Sequence, residues 1–347
     1  MSVKIIHVGL GGWGGDWART AIPAVAEVEV VAIADPDATT LQTVGAAIGA
    51  PAAARFPSLT AALARVEAEA VVITAPAVTH APLALEALEA GKHVLVEKPF
   101  ANTAEEAATA ARRAEELGLV LQVSQNYRNY PAPRTVQRLL QEGVLGELAG
   151  ISIDFRQWDN DRPFEDHPHY RFPHPMINDM AIHHFDLLRK VTGQEAARVY
   201  TKVKDPSYSK YVEEASAVMT IEMTDGLVVS YRGSWLSRGE PTPWAGEWRI
   251  TGEHGELFFT SRGGGGAADP AHADLVTLRR PGARPEPVAL EAQELYGRSA
   301  GLALFARAIR TGGVPETVGS ANLGSLALME AAGRSAASGR VEDVLLP

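Results

Sequence analysis

Short apolar runs recur through the first third of the chain: Val3–Val8, Val30–Ala34, Ala70–Thr74, His93–Val96 and Val120–Val123. They are rich in Val and Ile and apolar at successive positions, the pattern of parallel strands covered on both faces. Between them lie Ala-rich amphipathic segments such as Thr79–Ala90 and Thr103–Leu117. The second opens with a capping box, Thr103 and Glu106 three residues on, and ends at Gly118. Strand and helix alternating through short connections predict a doubly wound α/β domain over residues 1–124.

The period then changes. After Tyr130–Pro133 and a helix over Arg134–Glu142, strands dominate at Leu148–Trp158, Val199–Lys204, Ala215–Met223 and Leu227–Trp235. Thr224-Asp225-Gly226 between the last two is a hairpin signal. Ala217, Met219, Ile221 and Met223 fall on one face, and Ser216, Thr220 and Glu222 on the other, as in an antiparallel sheet with one covered side. Glu247–Gly252, Leu257–Ser261 and Leu275–Arg279 read as further strands, Gly263–Gly266 as a flexible loop tip, and Ala292–Arg310 and Ala321–Ser338 as closing helices. Residues 125–347 are therefore expected to form an α+β domain on a large, mostly antiparallel open sheet.

Composition narrows the function. The 347 residues carry 32 Lys and Arg against 42 Asp and Glu, a net charge of −10 that argues against nucleic acid as partner. The absence of cysteine removes disulfides, thiolate metal sites and thiol nucleophiles. No apolar run reaches the roughly 18 residues of a membrane span, and no signal-peptide pattern opens the chain, so a cytoplasmic protein is expected.

Three stretches carry candidate chemistry. Gly9-Leu10-Gly11-Gly12-Trp13-Gly14 follows a strand and opens a helix, as a dinucleotide fingerprint does, and Asp35 ends the next strand at the position of a ribose-binding carboxylate. An Asp there repels a 2′-phosphate and no Arg follows it closely, so NAD is favoured over NADP; an unrelated glycine turn is the bland alternative. Lys98, in Glu97-Lys98-Pro99, ends a parallel strand where such sheets bind ligands; it is either a proton-handling group or half of a surface ion pair with Glu97. Asp179, His183 and Asp186 share one face of a helix, reading either as an acid–base pair or as a helix-start cap beside a hydrogen-bonded histidine. His167, His169 and His174 are irregularly spaced and lack a zinc motif, so no metal is expected and they read as histidines facing substrate or solvent. The stretch Arg156–Tyr170 is dense in hydrogen-bonding side chains, with Arg, Trp, Asp, Asn and His.

Taken in order, Gly9/Gly11/Gly14, Glu97-Lys98-Pro99 and Asp179-x-x-x-His183 resemble the Gfo/Idh/MocA oxidoreductases, the group of glucose–fructose oxidoreductase and inositol dehydrogenase. The likeness extends to the closing Ala336-Ala337-Ser338-Gly339-Arg340. It implies that Lys98 lies near the nicotinamide and the reacting hydroxyl, and that Asp179 and His183 complete the site, with His183 the proton acceptor. Cofactor contacts then fall to Gly9, Gly11, Gly12, Trp13, Gly14, Asp35, Thr74, Ala75, Pro76, His80, Glu97, Lys98 and Asn126. Substrate contacts fall to Lys98, Arg128, Arg156, Trp158, Asp179 and His183. The resemblance also implies a homodimer or homotetramer through the second sheet. One departure stands out: many members carry glycines just before the Asp/His helix, where this chain has Phe172-Pro173-His174-Pro175-Met176-Ile177-Asn178. The expected activity is NAD-dependent oxidation of a secondary hydroxyl of a sugar, cyclitol or related polyol. An NAD-using glycoside hydrolase and a non-catalytic dinucleotide and sugar sensor are the alternatives.

Overall fold

Six parallel strands make the first sheet: β1 (Val3–Val8), β2 (Val28–Ala34), β3 (Arg55–Phe56), β4 (Ala70–Ile73), β5 (His93–Glu97) and β6 (Leu121–Ser124), in the order β3-β2-β1-β4-β5-β6. The strand order reverses at β1, which pairs with both β2 and β4. Ligands bind at the carboxyl ends of strands beside such a reversal. The central strands are buried almost without exception, as their unbroken Val and Ile runs require. Helix Ala104–Glu116 begins where the capping box placed it: Thr103 Oγ accepts the Glu106 N–H at 3.1 Å, and Glu106 reaches back to the Asn102 N–H. In this computed structural model the described residues are 2–263 and 273–347; positions 264–266 of the expected glycine loop tip lie outside them.

The second sheet has nine strands: β7 (Leu148–Arg156), β8 (Ala196–Val203), β9 (Ser216–Met223), β10 (Val228–Ser234), β11 (Glu247–Gly252), β12 (Gly255–Thr260), β13 (Leu275–Arg279), β14 (Glu286–Pro287) and β15 (Glu342–Asp343). Their order is β14-β13-β12-β11-β7-β10-β9-β8-β15, antiparallel except for the parallel pair β7–β10. The β9–β10 hairpin turns at Gly226, whose φ of +90° is open to glycine at little cost. Ala217, Met219, Ile221 and Met223 are all buried, so one covered face is confirmed.

The first unit's leading segment ends at Asn126, two residues past the expected boundary at 124, but the later chain is divided between the two units. The first is Met1–Asn126 with Gly297–Leu323, the second Tyr127–Tyr296 with Gly324–Leu346. Helix Gly297–Thr311, assigned from sequence to the second domain, packs in the first. The Gln122 side chain donates to Gly301 O at 2.9 Å, the Val123 N–H donates to Thr317 O, and Arg310 pairs with Glu69. These contacts join residues far apart in sequence, which periodicity does not report.

Candidate functional site

Within the first unit the glycine loop is shaped by close approach. Gly9 has φ +85°, and a Cβ there would lie 2.4 Å from the Ala75 backbone; a Cβ on Gly14 would lie 1.9 Å from Gly9 O. Gly11 and Gly12 are different, since a Cβ on either meets no protein atom within 4 Å. That open side faces a cavity of about 270 Å³ lined by Gly11, Gly12, Gly15, Arg19, Thr39 and Thr40. A guanidinium and threonine hydroxyls beside bare glycine backbone suit an anionic dinucleotide.

Behind the loop, Thr74 Oγ1 donates to Gly9 O at 2.6 Å and therefore accepts from His7 Nε2 at 2.8 Å. Burial lowers the His7 pKa to about 4, so the ring is neutral at pH 7. Asp35 is 8% exposed, and its two oxygens accept the N–H groups of Leu10 (2.6 Å) and Asp37 (2.9 Å). It ties the loop after β1 to the end of β2. Thr74, Ala75 and Asp35 thus hold the glycine turn in place.

Lys98 follows β5, and its peptide bond to Pro99 is cis. The surface setting considered for Glu97 from sequence is corrected here, because Glu97 is buried. Glu97 Oε1 accepts Trp13 Nε1 (3.0 Å), Trp17 Nε1 (2.8 Å) and Ser124 Oγ (3.2 Å), while Oε2 accepts the Lys98 N–H. These contacts join helix Gly12–Asp16 and the turn after it to the β5–β6 edge. Trp13 itself is 44% exposed, with the Arg298 guanidinium 4.1 Å from its ring. His80 spans the two loops near Lys98: Nδ1 lies 2.7 Å from Pro99 O and Nε2 2.8 Å from Ala75 O. Burial lowers its pKa against those two carbonyls, which favour the protonated ring. Pro76 precedes the short turn Ala77–Thr79, and Asn126 is buried where the first unit ends.

The second unit holds the other candidates. The helix carrying Asp179 and His183 begins earlier than the start-cap reading of Asp179 requires: Pro175–Ala181 is a π-helix capped by His174 in the left-handed region (φ +43°), continuing as α-helix Ile182–Thr192. Asp179 is therefore interior to the helical run and is not its start cap. The three residues expected on one face meet different partners. Asp179 Oδ2 lies 3.3 Å from His169 Nε2. His183, 5% exposed, stacks on Tyr127 with ring centroids 3.9 Å apart and planes 3° off parallel. Asp186 forms a bidentate pair with Arg128 at 2.5 and 2.8 Å. Arg128, expected to face substrate, turns its Nε and one terminal nitrogen to that buried carboxylate. Arg156, at the end of β7, pairs with Asp154 and Glu247 along the sheet, and Trp158 donates to Asp161 under the Arg238 guanidinium.

Sequence reasoning missed Tyr127, Arg262, His184 and the acid that joins the loop histidines. The Arg262 guanidinium lies 4.3 Å from the Tyr127 ring, and burial pushes the Tyr127 phenol above its usual pKa despite that cation. His184 is wholly buried between Tyr231 Oη and Trp244 O, and burial lowers its pKa to about 4. Asp159 gathers His167 and His169. Burial alone would lower the His169 pKa, yet hydrogen bonds to Asp159 and Asp179 outweigh it and carry it up to about 9. Only the His-rich composition of the loop hinted at such a cluster.

A reversed parallel sheet with a glycine turn at its switch strand, followed by a broad mostly antiparallel sheet, is the architecture of a dinucleotide-binding domain joined to an α+β domain. Residues 3–125 match the oxidoreductase family with an NAD-binding Rossmann fold, and residues 133–258 match the GFO/IDH/MocA C-terminal domain. The chain belongs to the Gfo/Idh/MocA oxidoreductase family, and its first domain binds NAD. It is 27% identical over 328 residues to a D-apiose dehydrogenase of Paraburkholderia graminis, covering 91% of this chain and 83% of that one. To the scyllo-inositol 2-dehydrogenase (NAD(+)) of Bacillus subtilis it is 24% identical over 262 residues, 74% and 73% of the two chains. Among solved structures, the aldose-aldose oxidoreductase of Caulobacter crescentus has the same fold, with a TM-score of 0.85, 20% identity and coverage of 99% and 100%. Among the described residues no helix is long and apolar enough to cross a membrane.

Proposed function

We propose that this protein is an NAD-dependent dehydrogenase that oxidises a secondary hydroxyl of a sugar, cyclitol or related polyol. The observation that carries the reading is His183, an imidazole fixed face to face on Tyr127 at 3.9 Å on the Asp179–His183 helix. The relatives named as dehydrogenases of apiose and scyllo-inositol support the substrate class.

Bound NAD supplies the hydride acceptor. His183 takes the hydroxyl proton, its ring orientation set by the stack, which removes the cost of ordering it during reaction. The Lys98 ammonium bonds the reacting oxygen and stabilises charge that builds there. Asp179 holds a neighbouring hydroxyl, steadied from behind by His169. Asp35 disfavours a 2′-phosphate, so NAD is used in preference to NADP. The second sheet supports self-association: Tyr200, Val218 and Val228 are exposed, and strand pairing sets them on one face of β8–β10. Light scattering is expected to give a dimer or tetramer.

The test is a panel of sugars, cyclitols and sugar acids with NAD and with NADP, followed by absorbance of the reduced cofactor. Stoichiometric NAD reduction with at least one polyol is expected. Product release without net reduction, or binding without turnover, would overturn the proposal.

A further inference from the structure

Asp159 is a dense polar junction that no step of the proposed reaction uses. Its Oδ2 lies 2.8 Å from His167 Nε2, 3.0 Å from His169 Nδ1 and 2.7 Å from the Tyr211 hydroxyl. The ligand atoms of Asp159, His167 and His169 all fall within 4.8 Å of one another. We propose that Asp159, His167 and His169 form a binding site for one divalent first-row transition-metal ion, with the Tyr211 hydroxyl at its edge.

Spacing is the first argument. Adjacent ligands at right angles around a cation with bonds of about 2.1 Å stand about 3.0 Å apart, whereas tetrahedral ligands would stand about 3.4 Å apart. The two nitrogen–oxygen separations match the right-angled case. They let each imidazole nitrogen sit at a right angle to the carboxylate oxygen about one cation, leaving further positions for water or a ligand. Hydrogen bonds span the same distances, so protons and a cation compete for the same nitrogen lone pairs.

The surroundings are the second argument. Metal-bound histidines usually pass their other ring N–H to a carboxylate, which fixes the tautomer. His169 has a carboxylate in that position: Nδ1 faces the cluster, and Nε2 lies 3.3 Å from Asp179 Oδ2. Aromatic edges hold both rings, with Tyr170 against His167 and Trp235, Phe172 and Tyr211 against His169. The Asp159 loop is tied to the segment carrying Tyr211, because Asn160 donates to Tyr208 O and accepts from the Lys210 N–H. The three side chains are 14–23% exposed, sheltered yet within reach of solvent. Two nitrogen donors select Mn²⁺, Fe²⁺, Co²⁺, Ni²⁺ or Zn²⁺ over Mg²⁺ and Ca²⁺, which prefer oxygen.

Binding is measured on the full chain with the metal alone, so the result is independent of the proposed activity. Chelator-stripped protein is equilibrated with Mn²⁺, Co²⁺ or Zn²⁺ and passed through gel filtration. Metal is counted by mass spectrometry and affinity read by calorimetry. One ion per chain is expected, with at least tenfold weaker binding in Asp159→Asn and His167→Gln. The double variant Glu213→Gln/Glu214→Gln, in the separate His174 cluster, should bind as wild type does. Bound Co²⁺ in the wild type should show the absorption of a nitrogen-ligated ion, a readout that needs no variant to fold. A wild type that retains no ion, a cobalt spectrum like that of the aqueous ion, Mg²⁺ binding as tight as Mn²⁺, or unchanged affinity in both cluster variants would each overturn the proposal.

Discussion

Gly9 and Gly11 differ in what a methyl group would meet, and the difference separates folding from binding. Gly9→Ala forces a side chain into positive φ and against Ala75, and should cost roughly 2–4 kcal/mol of stability. Gly11→Ala meets no protein atom, so its melting temperature should match wild type while NAD affinity falls at least tenfold. Thermal melts paired with cofactor titration check both. The acid–base candidates can be tried in the same way. Lys98→Met and His183→Ala should each lower kcat by roughly 10²–10⁴-fold, the usual contribution of a positioned proton-transfer group. NAD affinity should move far less, because the glycine turn is untouched. Near-normal kcat in both, with folding intact, would make these residues structural.

At the scale of elements, the helix Ile182–Thr192 is anchored by charge as well as by apolar contact. Asp186 is 1% exposed and Arg128 11%, so Arg128→Met would strand a buried carboxylate and should cost about 3–5 kcal/mol in urea unfolding. Asp186→Asn/Arg128→Met should recover part of that loss, since neither charge remains. Local pattern predicted the elements themselves well. The unbroken Val and Ile runs marked the first sheet, alternation marked β9 and β10, and Thr103 with Glu106 marked a helix start. What it did not reveal depends on contacts distant in sequence or on one residue per turn. Parallel β7–β10 pairing leaves no local trace. The apolar spacing of Met176, Ile177, Met180 and Ala181 suits an α-helix and a π-helix alike, so the early start at Pro175 was hidden. The glycine turn and Lys98 were visible as motifs, whereas the Tyr127 stack on His183 joins residues more than fifty positions apart.

For the whole molecule, acid sensitivity follows from two buried histidines, one in each unit. His7 and His184 have pKa values lowered to about 4, while an unfolded chain titrates them near 6.5. Their neutral forms stabilise the fold fully above about pH 6.5. Below that the unfolded chain takes up protons that the folded chain refuses, and stability falls until pH 4. Linkage sets the loss at roughly 3 kcal/mol per histidine across that window. Urea midpoints should therefore drop between pH 7 and pH 5, and His184→Gln should flatten part of that slope. A midpoint independent of pH in this interval would contradict the burial-driven shifts.

The assignment of Gly297–Leu323 to the first unit has a consequence for how the protein is made. On a ribosome, residues 1–126 emerge first, but the piece that completes their unit is translated some 170 residues later, on the order of 10–35 s at bacterial-to-eukaryotic elongation rates. Throughout that interval the outer edge of β6 lacks the Val318 bridge and the Thr317 carbonyl that occupy it in the finished chain. A nascent sheet with an unpaired edge is a target for wrong partners, including a neighbouring nascent copy. Folding yield during synthesis should then depend on chaperone cover and translation speed more than the stability of the finished protein would suggest.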